Sequence, residues 1–312
     1  MSPPLPLVVI VGPTAVGKTG AAVMLAEKLH RAEIVSADSR QIYRGMDIGT
    51  AKPTARDRRV RHHLLDIRDP GQRYSAGEFA RDAWDTLREL AERGAVPVVV
   101  GGSGLYVQAL LDGLAPVAEA PGARSQIRER LSTEGTDSLY ERLGRLDPAA
   151  AHRIAATDRQ RITRAIELVL LGACRGRPWV SGRASPRGCA PLIYVCLSRE
   201  RASLYARIDR RVEDMVRAGL LDEVQQLRQR GYGADAPGLQ TLGYAEALAH
   251  LEGATDLETM IRTVQQQTRR YAKRQLTWFG RDRRLRWLDM DRHGPRGCVE
   301  RILAQIAAET GG

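Results

Sequence analysis

Lysine is almost missing from this 312-residue chain. Of 48 lysine and arginine side chains only Lys18, Lys28, Lys52 and Lys273 are lysines. That scarcity makes Lys18, which sits in a glycine-rich segment, more informative than a lysine usually is. Cysteine is also sparse. Cys174, Cys189, Cys196 and Cys298 show no C-x-x-C spacing and no paired histidines, which argues against a zinc site or a disulfide framework. The neighbours His62 and His63 read as a loop feature rather than as ligands. No run is long enough to span a bilayer. The stretch Leu5 to Val11 is too short, and it lacks a basic start or a cleavage site. A reduced, soluble, cytoplasmic protein without a membrane partner is expected.

At 43% hydrophobic residues the chain can bury a full core and is long enough for two domains. Its net charge of +11 points to a polyanionic partner, or else to arginine-rich drift in composition. Strand-like runs alternate with helical stretches: LPLVVIV, Lys18 to Arg31, AEIVSAD, Glu78 to Arg93, VPVVVG. This alternation implies a parallel sheet flanked by helices, an α/β core. From about Leu114 the character changes. A Pro/Ala/Gly connector leads into Arg124 to Leu171, which is helical and charged, and then into the basic loop Arg175 to Gly188. The strand LIYVCLS, long helices and the short run LRWLDM follow. The expected organisation is a core of residues 1–115 and 191–312 with an all-helical insertion at 116–190. No internal repeat is visible.

Gly12, Pro13, Thr14, Ala15, Val16, Gly17, Lys18 and Thr19 spell GPTAVGKT, a phosphate-loop pattern between a strand and a helix. Backbone N–H groups and the helix start attract phosphate oxygens, Lys18 adds charge, and Thr19 can ligate Mg²⁺. The pattern specifies phosphate and leaves the reaction open. A nucleotide hydrolase would carry an acid at the end of a second core strand, yet VPVVVGGSGLY ends in Gly101, Gly102, Ser103 and Gly104. The nearest strand-end acid is Asp38, opening DSRQIYRGMDIGTAKP. Strand carboxyl ends line the ligand crevice of a parallel sheet, so Asp38 should face the loop, unless it only caps a turn. Lys52 either reaches a phosphate or is solvated, and Ser103 either caps the next helix or meets a ligand. In SLYARIDRRVEDMVRAGL, Leu204, Ile208, Val212 and Met215 form an apolar stripe with Arg211 at its margin. Arg211 either snorkels to water or clamps an anion, whereas Arg207 lies further round and is expected in solvent. The helix QQQTRRYAKRQLTWF mixes Arg269, Arg270, Lys273 and Arg274 with Tyr271, Trp278 and Phe279. Its arginines suit RNA phosphates, and its aromatics suit core packing or base stacking.

Together GPTAVGKT, DSRQIYRGMDIGTAKP, HHLLDI, YSAGEF, GGSGLY, DRQRITRAIE and AKRQLTWF, in this order, resemble the tRNA dimethylallyltransferases (tRNA isopentenyltransferases) over most of residues 7–290. The resemblance implies transfer of a dimethylallyl group from dimethylallyl diphosphate to N6 of the adenosine just 3′ of the anticodon. It also implies a P-loop NTPase-like α/β core with an all-helical insertion that grips the anticodon stem-loop. Positions implied to touch tRNA are Asp38, Ser39, Arg40, Gln41, Ser103 and Arg124. The segment Gln160, Arg161, Ile162, Thr163, Arg164 and the segment Gln240, Thr241, Leu242, Gly243, Tyr244, Ala245 complete the set. Ser103 stands where many relatives have Thr, and Ala245 where a basic residue is frequent. The zinc-finger pattern of eukaryotic relatives is not seen.

On this resemblance the loop holds a leaving diphosphate, with Lys18, Thr19-bound Mg²⁺ and Arg211 stabilising it and Asp38 acting as general base. A monomer is expected, and ATP can occupy the loop without being consumed. Two other readings share some of these features. A nucleotide or small-molecule kinase has the same loop, and a non-catalytic RNA binder has the same charge.

Overall fold

The structure is a computed structural model that describes residues 5–29, 31–55, 57–114, 122–171 and 191–310. The chain falls into two compact units, Met1–Leu110 with Pro186–Gly312, and Leu111–Ser185.

The larger unit begins with β1 (Leu7–Val11), a fully buried LVVIV run. Such a continuous β-branched strand belongs in the middle of a parallel sheet covered on both faces. The phosphate loop leads into α1 (Lys18–Lys28), which is followed by β2 (Ala32–Ser36) and β3 (His62–His63). α2 (Ala76–Glu92) starts at a capping box in which Ser75 and Glu78 satisfy each other's backbone N–H groups. β4 (Val96–Gly101) and α3 (Gly104–Asp112) come next.

The smaller unit holds α4 (Ala123–Ser132), α5 (Thr136–Leu146), α6 (Pro148–Arg153) and α7 (Arg159–Leu170). Its core is built from Leu131, Leu139, Leu143, Ile154, Ile162 and Ile166. Its described residues are helical, as the charged, strand-free sequence predicts. The basic loop Arg175 to Gly188, with Cys174 and Cys189, lies outside the described residues.

The larger unit resumes with β5 (Leu192–Ser198), α8 (Arg201–Arg217), α9 (Leu220–Gln229), α10 (Tyr244–Leu251) and α11 (Leu257–Phe279). It ends with β6 (Arg286–Asp289) and α12 (Met290–Thr310), the last interrupted at Gly294. The six strands form one parallel sheet in the order β3-β2-β4-β1-β5-β6. All carboxyl ends therefore point the same way, and the loops after β1, β2 and β4 emerge side by side. His62 and His63 are not a plain loop feature. They add an edge strand to β2, and His63 Nε2 lies 2.6 Å from Glu33 Oε2. Among the described residues no helix is long and apolar enough to cross a membrane.

Candidate active site

The phosphate loop starts where β1 ends. Gly12 has φ 145°, and a Cβ there would sit 2.5 Å from the Leu197 carbonyl oxygen, so only glycine fits beside β5. Lys18 Nζ folds back and donates to the Gly12 and Pro13 carbonyls at 2.9 and 2.7 Å. Burial pushes the Lys18 ammonium down to about 8, with Asp38 opposing the shift and Arg211 reinforcing it. The loop is clasped from outside. Arg199 Nε donates to Val16 O at 3.1 Å and pairs with Asp291, and Arg207 Nε donates to Ala15 O at 3.0 Å. Arg207, expected in solvent, thus holds the loop while remaining exposed. The Val16 side chain is wholly buried, so that residue offers the site its backbone alone.

Asp38 follows β2. Its Oδ1 accepts from Arg40 N at 2.9 Å, closing a turn, while the carboxylate acts electrostatically on both Lys18 and Arg211. The strand next to β1 is β4, which ends in Gly101, and Asp38 stands one strand further across. Arg211 is half-buried on α8, whose Leu204, Ile208 and Val212 form the anticipated buried stripe. Burial lowers the affinity of its guanidinium for the proton; Asp38 opposes this and Arg207 adds to it. Among the described residues Arg211 has no side-chain hydrogen-bond partner. A cation held partly out of water and left unpaired is suited to receive an anion.

These groups line one cavity of about 720 Å³. Its wall includes Thr14, Lys18, Thr19, Asp38, Arg40, Arg211, Gln240, Thr241, Tyr271 and Arg274, all in the larger unit. Thr241 is 4% exposed and its Oγ1 has no partner, which leaves a buried hydroxyl at the wall of the cavity. Thr19 makes no side-chain hydrogen bond among the described residues. Magnesium is commonly held by one or two protein oxygens plus substrate phosphates. The Thr19 hydroxyl on the cavity wall fits that donor set, and the described residues contain no cluster of three or more His, Cys, Asp or Glu for an all-protein cage.

Several residues singled out in the sequence have other work. Ser103 does not cap α3 with its hydroxyl; Oγ accepts from Ser39 N at 2.9 Å and donates to Ser39 Oγ at 3.1 Å. Gln41 is half-buried on the cavity wall and spends its amide on the Thr50 and Ala51 carbonyls and on Ser36, so it shapes the loop after β2. Lys52 is neither at a phosphate nor solvated. It is buried, with Nζ at 2.7 Å from Asp47 and 2.5 Å from Asp66.

Tyr244 and Ile162, singled out with their neighbours, have fully buried side chains in the core. The Tyr244 hydroxyl donates to Glu223 Oε1 at 2.5 Å. Leu242 is half-buried against the same core as Tyr244, Gly243 sits at the start of α10 with φ 94°, and Ala245 is exposed. On α7, Gln160 and Arg161 are exposed and Thr163 is half-buried. Arg164 pairs at 2.9 Å with Glu167, a carboxylate buried to 1% that Arg128 also reaches. Arg124 belongs to α4, and its side chain lies outside the described residues. On α11, Phe279 is core, Arg269 pairs with Asp209, and Tyr271 joins the cavity. Burial, helped by Asp38, pushes the Tyr271 hydroxyl up to about 12.

Two side chains escaped the sequence. Glu223 accepts the backbone N–H groups of Asp47, Ile48 and Gly49 at 2.7, 2.8 and 3.2 Å, pinning the loop that carries Lys52. Gln275 bridges Thr14 N and Gly102 O, each at 2.9 Å. Neither partnership has a local signature, because the residues meet across more than 170 positions of chain.

The family model for IPP transferase matches residues 41–283, and that for isopentenyl transferase matches residues 5–69. A tRNA dimethylallyltransferase of Halorhodospira halophila is 47% identical over 284 residues, which cover 88% of this chain and 89% of the relative. That of Pelotomaculum thermopropionicum is 40% identical over 98% of this chain and 97% of its own length. The full-length tRNA isopentenylpyrophosphate transferase of Bacillus halodurans superposes with a TM-score of 0.71 at 38% identity, covering 98% of both chains. With a phosphate loop, a strand-end aspartate and an unpaired arginine on one cavity, and with similarity running along its whole length, the chain belongs to the tRNA dimethylallyltransferase (IPP transferase) family.

Proposed function

We propose that this tRNA dimethylallyltransferase moves the dimethylallyl group of dimethylallyl diphosphate to N6 of the adenosine 3′-adjacent to the anticodon, with the residues of the described cavity in the roles that follow. One observation carries the assignment. The phosphate loop, Asp38 and Arg211 converge on a single cavity, while β4 next to the loop ends in glycine rather than in an acid. Such a site suits a diphosphate that leaves, with Asp38 as the carboxylate that can take a proton from the attacking group.

As the adenine amine bonds to the allylic carbon, the carbon–oxygen bond breaks and its electron pair leaves with the diphosphate. The amine proton passes to the Asp38 carboxylate, within the same cavity. Negative charge grows on the leaving group, where loop N–H groups, Lys18 and Arg211 stabilise it. Thr19 would hold a Mg²⁺ ion, which would supply Lewis-acid neutralisation of negative charge in the cavity. The adenosine must leave its stack to enter the cavity, at a cost of a few kcal/mol. On the RNA side, the exposed Arg40 and Arg274 beside the cavity and the exposed Gln160 and Arg161 on α7 are the contacts we assign to the anticodon stem-loop.

The test is direct. Protein, unmodified tRNA, dimethylallyl diphosphate and Mg²⁺ are incubated, and the digested nucleosides are analysed by mass spectrometry. A dimethylallyl-adenosine product is expected. Unmodified nucleosides together with γ-phosphate loss from ATP would favour a kinase instead.

A further inference from the structure

Hydrogen bonding between β1 and β4 ends at the pair Val11–Gly101, beyond which the two chains part. One becomes the phosphate loop, and the other runs through Gly102 to Ser103. The side chain of Gln275, from α11, fills the place of the next rung. Its Oε1 accepts from Thr14 N and its Nε2 donates to Gly102 O, both at 2.9 Å, and the residue is 6% exposed. A carboxamide supplies a neutral donor and acceptor side by side, which this pair of backbone groups requires. The approach also needs glycine on the other side. A Cβ at Gly102 would lie 2.3 Å from the Gln275 nitrogen.

From Gly102 the connections continue. Ser103 Oγ accepts from Ser39 N, the residue beside Asp38, at 2.9 Å. An unbroken path of bonds and backbone thus runs from the loop that holds the donor to the carboxylate that faces the acceptor. The sheet does not need this bridge to stay together, because β1 and β4 are already paired from Val8–Val98 to Val11–Gly101. Burying an amide is costly unless it is hydrogen-bonded, and the Gln275 amide is bonded through both its oxygen and its nitrogen.

We propose that Gln275 is a positioning residue that keeps the phosphate loop in register with the acceptor end of β4. The allylic carbon and the attacking amine then meet at bonding distance. This rests on the dimethylallyl-transfer reading. Its loss should slow chemistry more than it weakens binding, since misplacement of reacting groups by about 1 Å can cost 10²-fold in rate.

The experiment compares parent, Gln275→Glu, which keeps the shape but loses the donor, and Gln275→Met, which loses both bonds. Single-turnover rates are measured with saturating dimethylallyl diphosphate and tRNA, alongside dissociation constants for each substrate and the folded fraction. Both variants should react roughly 10- to 100-fold more slowly per folded molecule, with each dissociation constant within about threefold of the parent. A parental rate per folded molecule in either variant would overturn the proposal, as would a defect removed by excess donor. A parent that transfers no dimethylallyl group would instead defeat the assignment of function.

Discussion

Raising the pH through 8 should release the donor, and the cause is the burial of Lys18. Its ammonium is pushed down to about 8, although it donates to two carbonyls, because burial outweighs the attraction of Asp38. A bound diphosphate restores the ordinary preference for the charged form, so binding selects protein that carries the proton. A group titrating near 8 is about nine-tenths protonated at pH 7 and about one-tenth at pH 9. Affinity for inorganic diphosphate should therefore fall about tenfold between these values, or about 1.4 kcal/mol. The sign follows from the direction of the shift. Because the free protein loses its proton first, affinity is full below pH 8 and declines above it. The last ionisation of free diphosphate also falls in this window, so the step is read against a variant that shares that ligand titration but lacks the lysine. Titration calorimetry at constant Mg²⁺ from pH 7 to 9 reads the effect, with Lys18→Met as a control that should bind weakly and without the step. A dissociation constant that stays flat across the window would refute the reasoning, since a lysine titrating at 10.5 keeps its charge throughout.

Asp38→Asn keeps the size of the side chain but cannot take a proton. Single-turnover rate should fall by about 10²- to 10⁴-fold at saturating substrates, and a defect that shrinks at high Mg²⁺ would show a metal role instead. Arg161→Ala should reduce the log–log salt slope of tRNA binding by about 0.7 to 0.9, as expected for one phosphate contact; an unchanged slope would remove this exposed residue from the interface. Arg164→Ala should act differently, lowering the stability of the helical unit by about 2 kcal/mol because Glu167 loses a partner while buried, and circular dichroism during urea denaturation would reveal a null effect. Glu223→Ala strips the acceptor from the Asp47, Ile48 and Gly49 N–H groups and from the Tyr244 hydroxyl, and should cost about 3 kcal/mol in the same assay.

What the sequence alone determined is what depends on neighbours in the chain. A buried β-branched run, two glycines with positive φ and a lysine at the start of a helix are local requirements, so the phosphate loop was legible as such. The switch to charged, strand-free segments marked the helical insertion. The alternation of strands and helices implied a parallel sheet, and with it the facing of Asp38 toward the loop, because every strand in such a sheet ends on one side.

Only the tertiary structure decided what each side chain does. Tyr244 and Ile162 look like members of polar motifs, but each faces inward from its helix because packing chose the face. Gln41 and Lys52 sit among hydrogen-bonding neighbours, yet backbone carbonyls and the carboxylates of Asp47 and Asp66 claim them first. Gln275 was invisible within an arginine-rich helix, since its partners Thr14 and Gly102 lie 261 and 173 residues away. A motif can be read where backbone geometry is set by adjacent residues. The partner of a buried polar group is set by which distant strands and helices the core brings together, and that is settled only when the chain has folded.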